Sequence, residues 1–411
     1  ENRESSGTTL MARMAEEKSI PFESEIYNDG LYQFQNNLED ILTEFNEENI
    51  PVAIGTLTSN IKDLKPFISV KSEKYPEASE IFDKAKQEFE KNNFTAADSL
   101  FRFAKDLDAL RFRAPESFNK VIIELAEKYG ASLIDIDKEF AKNSNNGITG
   151  KELMVDHLHP TLKGYQLMGK FFAVNIINHN LLNRKTDEAS LKINIDSAVA
   201  ANFAFGELDS VVSNFTIINL LNDWPFVEKK NKNVFDSVKL KNKIDTLAFK
   251  IVKQDYNWEV AHQEAYKWYL QNGDVDNFYM EMKVLSSQYP FKTSYYLFAA
   301  QELIKFKEFD KAYFFLQKKY KVEPDEFTVK WLGNINLFNN KLDNAIFYLN
   351  KSITFNSNDA QTFFNLALAY LRKKDFETAR MNIESCLRIK PNYQNAKAML
   401  IQIESLIKKP R

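Results

Sequence analysis

Residues 325–391 read DEFTVKWLGNINLFNNKLDNAIFYLNKSITFNSNDAQTFFNLALAYLRKKDFETARMNIESCLRIKP, and they contain one helix–turn–helix pattern twice. Small residues recur in phase, at Gly333 and Ala367 in the first helix of each unit and at Ala345 and Ala379 in the second. Small residues let neighbouring helices approach closely, and large apolar residues fill the space between them. This stretch therefore predicts stacked pairs of amphipathic helices.

The same pattern extends towards the N-terminus with a fixed period. Proline occurs at Pro290, Pro324 and Pro391, with Ser357 in the intervening place, so the steps are 34, 33 and 34 residues. Each Pro ends a helix because it lacks a backbone donor. This period resembles the tetratricopeptide repeat. We predict a solenoid over 257–411, with a generic helical bundle as the alternative. Its four units would cover 257–290, 291–324, 325–358 and 359–392.

Composition excludes several classes of protein. The 411 residues contain 54 Lys and Arg against 57 Asp and Glu, a net charge of −3, which gives no electrostatic signature of nucleic-acid binding. The single cysteine, Cys386, excludes a disulfide framework and a Cys-based zinc site, and we interpret it as a small core residue. No apolar run is long enough for a membrane span. We therefore predict no metal and no cofactor.

The first 185 residues alternate between helix and strand patterns. Short apolar runs at 50–56 and 131–136 are typical of buried parallel strands, and each follows an amphipathic helix. The predicted helices cover 28–49, 116–129 and 161–180. This order predicts part of a doubly wound three-layer α/β domain over 1–185. Two helical patterns at 75–107 form a predicted helical-hairpin insertion, and 186–256 is a predicted helical linker.

The segment Asp156-His-Leu-His-Pro160 carries the clearest chemical signal. A D-x-x-H-P turn that enters a helix places a carboxylate beside an imidazole, which can then act as a general base for a nucleophile. The alternative is a capped helix start, since Asp and His are common near helix N-termini. The other two histidines, His179 and His262, are interpreted as surface or helix-packing residues.

This segment resembles the last sequence block of the SGNH (GDSL-type) hydrolases, whose fold is flavodoxin-like. Pro160 and Gly164 fit the block. The resemblance implies that Asp156 is the orienting acid and His159 the general base of a Ser–His–Asp triad, with His157 a bystander at the site rim. Further stretches are similar to a bacterial subgroup that joins this domain to tetratricopeptide repeats. They lie at 27–38, at 50–56 with 59–60, at 104–108 with 110–115, and at 156–169.

The sequence also departs from the family. Its one Gly-Asp pair, Gly273-Asp274, is followed by Val275 and lies in the repeats, so it is not the nucleophile block. The blocks that would form the oxyanion hole are absent as well, and in the family they precede the stretch resembled here. Either the chain is cut from a longer protein, which we favour, or it is a remnant that has lost its chemistry. Whether it is an enzyme is therefore left open.

Four polar residues are candidates for substrate binding. Ser59 and Asn60 follow the first predicted strand, where α/β folds bind ligands, although a polar turn would look the same. Arg111 and Arg113 could bind an anionic or sugar substrate. The alternative for both arginines is ion pairing with acidic neighbours such as Asp106 and Asp108.

Together these observations predict an SGNH-like ester hydrolase joined to an interaction module. The predicted ligands are an acyl-ester substrate, with acylated carbohydrate one candidate, and a protein or peptide on the concave face of the repeats. The alternative is a non-catalytic repeat scaffold. The resemblance implies a periplasmic or extracytoplasmic location, with any membrane contact made by a segment outside this chain.

Overall fold

The protein is described by a computed structural model that covers residues 19–182, 195–227, 229–231, 233–236, 238–254 and 256–408. These ranges contain eighteen α-helices, one short 3-10 helix and two β-strands. They divide into two compact units. The first holds the described residues up to Phe203 together with Thr216–Val238, and the second holds Ala204–Phe215 together with the described residues from Lys239 onwards.

The first unit alternates helices and strands. Its elements in chain order are α1 (Glu25–Glu47), β1 (Ala53–Gly55), α2 (Ala78–Glu90), α3 (Phe94–Leu107), α4 (Glu116–Lys128), β2 (Ser132–Ile134), α5 (Ile136–Lys142), the 3-10 helix (Asn145–Gly147), α6 (Leu162–Asn178) and α7 (Ile195–Asn202). The next helix, α8 (Glu207–Leu221), contributes residues to both units. The strands are shorter than the predicted apolar runs because the ladder joins only three residue pairs.

The two strands are parallel, with Ala53 opposite Ser132 and Gly55 opposite Ile134. Neighbouring residues of a strand point to opposite faces of the sheet. Val52 packs with the cluster of α1 and α4, whereas Ala53 packs with the cluster of α6. Helices therefore cover both faces, which confirms the three-layer α/β arrangement.

Helices α2 and α3 form a hairpin outside the sheet, as predicted for 75–107. Ala85, Ala97 and Ala104 are fully buried along the hairpin, and the rings of Phe82 and Phe101 meet edge to face at 5.2 Å. Small residues thus let the two helices approach, and aromatic rings fill the remaining space.

The second unit is all-helical. Its helices after α8 are α9 (Lys243–Gln254), α10 (Trp258–Gln271), α11 (Val275–Gln288), α12 (Thr293–Lys305), α13 (Phe309–Val322), α14 (Glu326–Phe338), α15 (Leu342–Phe355), α16 (Ala360–Arg372), α17 (Phe376–Ile389) and α18 (Ala396–Ile407). Successive helices pack on one another from α10 to α18. A Cβ on Gly333 would lie 2.6 Å from Cγ of Leu349, so the lack of a side chain at this position allows the two helices to approach closely. Cys386 is buried in the core of the last pair.

The fold class, an α/β unit combined with an all-α repeat region, is thus confirmed. The predicted boundaries at 185/186 and 256/257 stay predictions, and described residues of the predicted linker belong to both units. None of the helices in the described ranges is both long and apolar enough to cross a bilayer.

Candidate active site

The Asp156–Pro160 segment forms a tight turn before α6. The backbone N–H of Val155 donates to the carbonyl of His159 at 2.8 Å, and that of Thr161 donates to the carbonyl of Leu153 at 2.8 Å. The hydroxyl of Thr161 accepts the N–H of Gly164 and caps α6. Because Thr161 is the cap, Asp156 and His159 are available for another role.

Asp156 is the centre of this turn. Its Oδ1 accepts the backbone N–H groups of Leu158 at 2.9 Å and His159 at 2.8 Å, and its Oδ2 lies 2.7 Å from Nδ1 of His159. The Asp156 side chain is fully buried, whereas that of His159 is 54% exposed. Burial opposes ionisation of Asp156, but these hydrogen bonds outweigh it and hold its pKa below the usual range.

The pairing determines which ring nitrogen of His159 is reactive. An ionised carboxylate can only accept hydrogen bonds, so in the neutral imidazole Nδ1 carries the proton and Nε2 has the lone pair. Within the described residues, no hydroxyl is hydrogen-bonded to Nε2. This geometry suits a general base, because a buried carboxylate orients the imidazole and the rest of the ring is accessible.

His157 does not lie at the site rim, so the interpretation as a rim residue is wrong. It is only 2% exposed, and its ring is surrounded by Phe67, Phe112 and Phe226. The chain turns between the two residues around the Asp156 carboxylate, so the side chain of His159 is exposed while that of His157 is buried. Burial lowers the pKa of His157.

Ser59 and Asn60 follow β1 in the chain, as the sequence indicated, and Asn60 contacts the Asp156 turn. Both are buried. The N–H of Asn60 donates to the carbonyl of His157 at 3.0 Å, and Oδ1 of Asn60 accepts the N–H of Asp63 at 3.1 Å. Asn60 thus connects the loop after β1 to the Asp156 turn, while Ser59 lines an adjoining cavity. Their role in substrate binding stays a prediction.

The two arginines hold backbone around the site. Arg113 donates to the carbonyls of Asn60 and Leu64 and pairs with Asp108. Arg111 donates to the carbonyls of Ile20 and Asp106. Arg113 therefore forms an ion pair with an acidic neighbour, which was the alternative to substrate binding. Arg111 instead donates to the main-chain carbonyl of Asp106. Arg113 also lines the cavity, and substrate contact by either arginine stays a prediction.

A cavity of about 450 Å³ opens at the carboxyl ends of the strands. Its wall includes the loop 56–59, and Leu158 and Pro160, which flank His159 in the chain. Met168 and Phe172 of α6 line its other side. Open α/β sheets bind ligands at the carboxyl ends of their strands, which is where this cavity lies. Its wall is mostly apolar, and the exposed His159 is adjacent in the chain to two of its lining residues.

A second buried cluster of charged groups lies in the repeat unit. Nδ1 of His262 in α10 is hydrogen-bonded to Oε2 of Glu281 in α11. Nε2 of the same ring lies 3.2 Å from Oδ1 of Asp209 in α8. Burial opposes a charge on His262, but the neighbouring carboxylates of Asp209 and Glu281 outweigh it and raise its pKa to about 9. His262 is thus fully buried, whereas His179 is exposed at the end of α6. The described residues contain no group of three or more side chains suited to a metal ion.

The repeats also carry an aromatic pocket of about 340 Å³. Phe309, Trp331 and Phe338 line it, with Phe309 and Trp331 stacked at 6.3 Å. The side-chain amides of Asn334 and Asn365 hydrogen-bond to each other at 2.7 Å along its wall.

Comparisons with known families match both units. Residues 25–172 match the family described as GDSL-like Lipase/Acylhydrolase. Residues 331–359 and 360–393 each match the family described as Tetratricopeptide repeat. No curated protein matches the chain.

Several solved structures are similar to part of the chain. A MamA protein is 17% identical over 36% of this chain and 88% of its own, with a TM-score of 0.31. MamA from residue 41 onwards, from Desulfovibrio magneticus RS-1, is 13% identical over 36% of this chain and 95% of its own, with a TM-score of 0.30. YrrB, described as a TPR protein with an unusual peptide-binding site, is 12% identical over 40% of this chain and 83% of its own, with a TM-score of 0.33.

Proposed function

Because the chain joins a GDSL-like lipase/acylhydrolase region to tetratricopeptide repeats, we propose that it is part of a serine ester hydrolase with an attached protein-interaction module. Asp156 is the orienting acid and His159 the general base. The nucleophilic Ser and the oxyanion-hole donors come from polypeptide outside these 411 residues, since the sequence contains neither block.

One observation carries this proposal. Nδ1 of His159 lies 2.7 Å from a buried carboxylate, while the rest of the ring remains accessible. An exposed histidine that served only the fold would not need an oriented, buried acid. The GDSL-like match over 25–172 contains the pair and supports hydrolase ancestry.

The reaction follows from this geometry. Nε2 of His159 takes the proton of the Ser hydroxyl while Oγ attacks the ester carbonyl, which forms a tetrahedral intermediate. The C–O bond to the alcohol then breaks, and the alcohol leaves with the proton from Nε2. Water, deprotonated by the same nitrogen, attacks the acyl-enzyme. The bond between Oγ and the acyl carbon then breaks, the Ser oxygen takes the proton back from Nε2, and the acid is released. Asp156 stabilises the imidazolium during both half-reactions.

The proposal also includes a class of ester substrate. Acylated carbohydrate is the candidate that the family resemblance suggests, and such a substrate fits an extracytoplasmic location. Cell fractionation tests the location, and release of acetate from acetylated polysaccharide tests the substrate. Recovery of the protein only in the cytoplasm would contradict the proposed location.

The decisive experiment uses the protein together with its upstream coding sequence. Hydrolysis of p-nitrophenyl acetate is measured for the wild type and for His159→Ala. We expect a decrease in kcat/KM of about 100- to 10,000-fold, as for loss of a general base. His179→Ala, which alters an exposed histidine on the same unit, is the matched control. Equal activity of wild type and His159→Ala would contradict the proposal.

The second candidate function is a non-catalytic scaffold, which the aromatic pocket favours. The exposed Phe338 and the Asn334–Asn365 amides offer apolar and hydrogen-bonding contacts to an extended peptide. In this case, Phe338→Ala should abolish retention of a partner that co-purifies with the native protein. Phe291→Ala, which removes another exposed Phe from the repeat unit, should leave retention intact. Equal binding of the partner to both variants would show that the partner does not bind at this pocket.

A further inference from the structure

His157 is enclosed by three aromatic rings from separate segments. The ring centroid of His157 lies 5.8 Å from that of Phe67, 5.5 Å from that of Phe112 and 5.9 Å from that of Phe226. Phe226 comes from the segment after α8, outside the 25–172 stretch that matches the hydrolase family. This part of the chain thus reaches the candidate active site.

The enclosed imidazole lies close to the carboxylate that orients His159. Nδ1 of His157 is 3.7 Å from Oδ1 of Asp156, which is beyond hydrogen-bond range, and Nδ1 has no hydrogen-bond partner. Oδ1 of Asp156 already accepts two backbone N–H groups. Asp156 therefore has two imidazole neighbours but is hydrogen-bonded to only one of them.

We infer that Phe226 is a positioning residue, which completes the apolar enclosure of His157 and thereby reserves the Asp156 carboxylate for His159. A charged His157 would compete for that carboxylate and weaken its hold on the general base. In catalysis this role depends on the proposed function, whereas the enclosure itself can be tested without any reaction.

The electrostatic surroundings support a neutral His157. Burial lowers its pKa, with further lowering by His159 and Arg113, while Asp156 and Asp108 act in the opposite direction. Asp108 is itself paired with Arg113. In the segment that carries Phe226, Asp223 is paired with Lys230.

Two local contacts hold Phe226 in place. The side-chain amide of Asn222 donates to the carbonyl of Asn231 at 2.7 Å and accepts its N–H at 3.1 Å, which closes a short loop. Within that loop, the ring of Trp224 meets the ring of Phe112 at 5.9 Å. Phe226 is therefore held at a defined position against His157.

The test is a histidine titration by NMR on the 411-residue chain, whose four histidines give few signals. In Phe226→Ala, water should reach His157, and its titration midpoint should rise by on the order of one pH unit. At pH values near that midpoint, where part of His157 is charged, the ¹⁵N shifts of the neutral His159 ring should show a smaller share of the Nδ1–H tautomer. Phe226→Leu, which keeps an apolar side chain, should resemble the wild type, and Phe226→Val should be intermediate.

A double-mutant cycle separates this role from a general loss of structure. With His157→Phe as background, Phe226→Ala should no longer change the His159 signals, because no second imidazole remains. An unchanged His157 midpoint in folded Phe226→Ala or Phe226→Val would overturn the inference. So would a His159 change that persists in the His157→Phe background. Absence of esterase activity in the longer protein would instead contradict only the proposed function.

Discussion

Arg113 and Asp108 form a buried ion pair, with Nη2 of the arginine 3.1 Å from Oδ2 of the aspartate and both side chains 2% exposed. The same carboxylate accepts the backbone N–H groups of Phe67 and Ile68 at 2.9 and 3.0 Å. The pair therefore fixes the loop that supplies one wall of the His157 enclosure.

Replacement of Arg113 by Met should destabilise the first unit by about 3–5 kcal/mol, because Asp108 would remain buried without its cation. Hydrogen exchange at residues 64–70 and chemical denaturation measure the effect. Arg388→Met, at an exposed position of the repeats, is the control and should be near neutral. Equal exchange rates in the two variants would show that the ion pair does not hold this loop.

Gly164→Ala should disrupt the Asp156 turn. A Cβ at position 164 would lie 2.5 Å from the carbonyl oxygen of Leu153 and 2.8 Å from Cβ of Pro160, and neither atom can move without the turn. We expect a loss of about 1–3 kcal/mol in unfolding free energy. Gly169→Ala on the same helix has open space and should be neutral or stabilising by up to about 1 kcal/mol. Thermal unfolding compares the pair, and tolerance of both changes would contradict this geometry.

Asp156→Asn should change the tautomer of His159. An Asn side chain can donate to Nδ1 as well as accept from it, so the fixed Nδ1–H form is lost. The ¹⁵N shifts of the His159 ring report this change directly, and we expect about a 1,000- to 10,000-fold lower kcat in the longer protein, the size of effect known for other triads. Asp40→Asn, at an exposed site on α1, should change neither quantity. Retention of the Nδ1–H form in Asp156→Asn would mean that another group orients the ring.

The His262 cluster predicts a specific pH dependence of stability. The folded pKa of about 9 lies above the ordinary value of 6.5, so the folded state binds the proton more tightly. Protonation of His262 therefore contributes up to about 3 kcal/mol to the free energy of unfolding. This contribution is fully present below pH 6.5 and is lost as the pH rises through 9. Denaturation of the wild type should show this decline, and His262→Gln should abolish it. His179→Gln should retain the wild-type profile, and a flat wild-type profile would exclude the charged form.

Local patterns predicted the elements well. The helices at 116–129 and 161–180 were placed within about two residues, since apolar spacing and turn residues define them. The D-x-x-H-P spacing also predicted the contact between Asp156 and His159, because the contact forms within one turn. These features depend on neighbours in the chain, which a sequence displays directly.

Features that depend on distant residues were not predictable. His157 is buried because Phe67 and Phe226 pack on it from positions far along the chain, and no local pattern indicates that approach. Likewise, His262 becomes charged only because Asp209 and Glu281 reach it from two other helices. The role of Thr161 as the helix cap depends on the hydrogen bonds that the turn forms. The sequence alone therefore left a capped helix start open as the alternative to catalysis for Asp156 and His159.

The interleaving of the two units along the chain has a consequence for engineering and for evolution. Residues 204–215 belong to the repeat unit, yet 216–238 return to the hydrolase-like unit and deliver Phe226 to His157. No single breakpoint in this stretch yields two intact modules. A gene fusion or a cassette exchange made there would remove residues from one unit, so the two are expected to be inherited, shuffled and expressed as one piece.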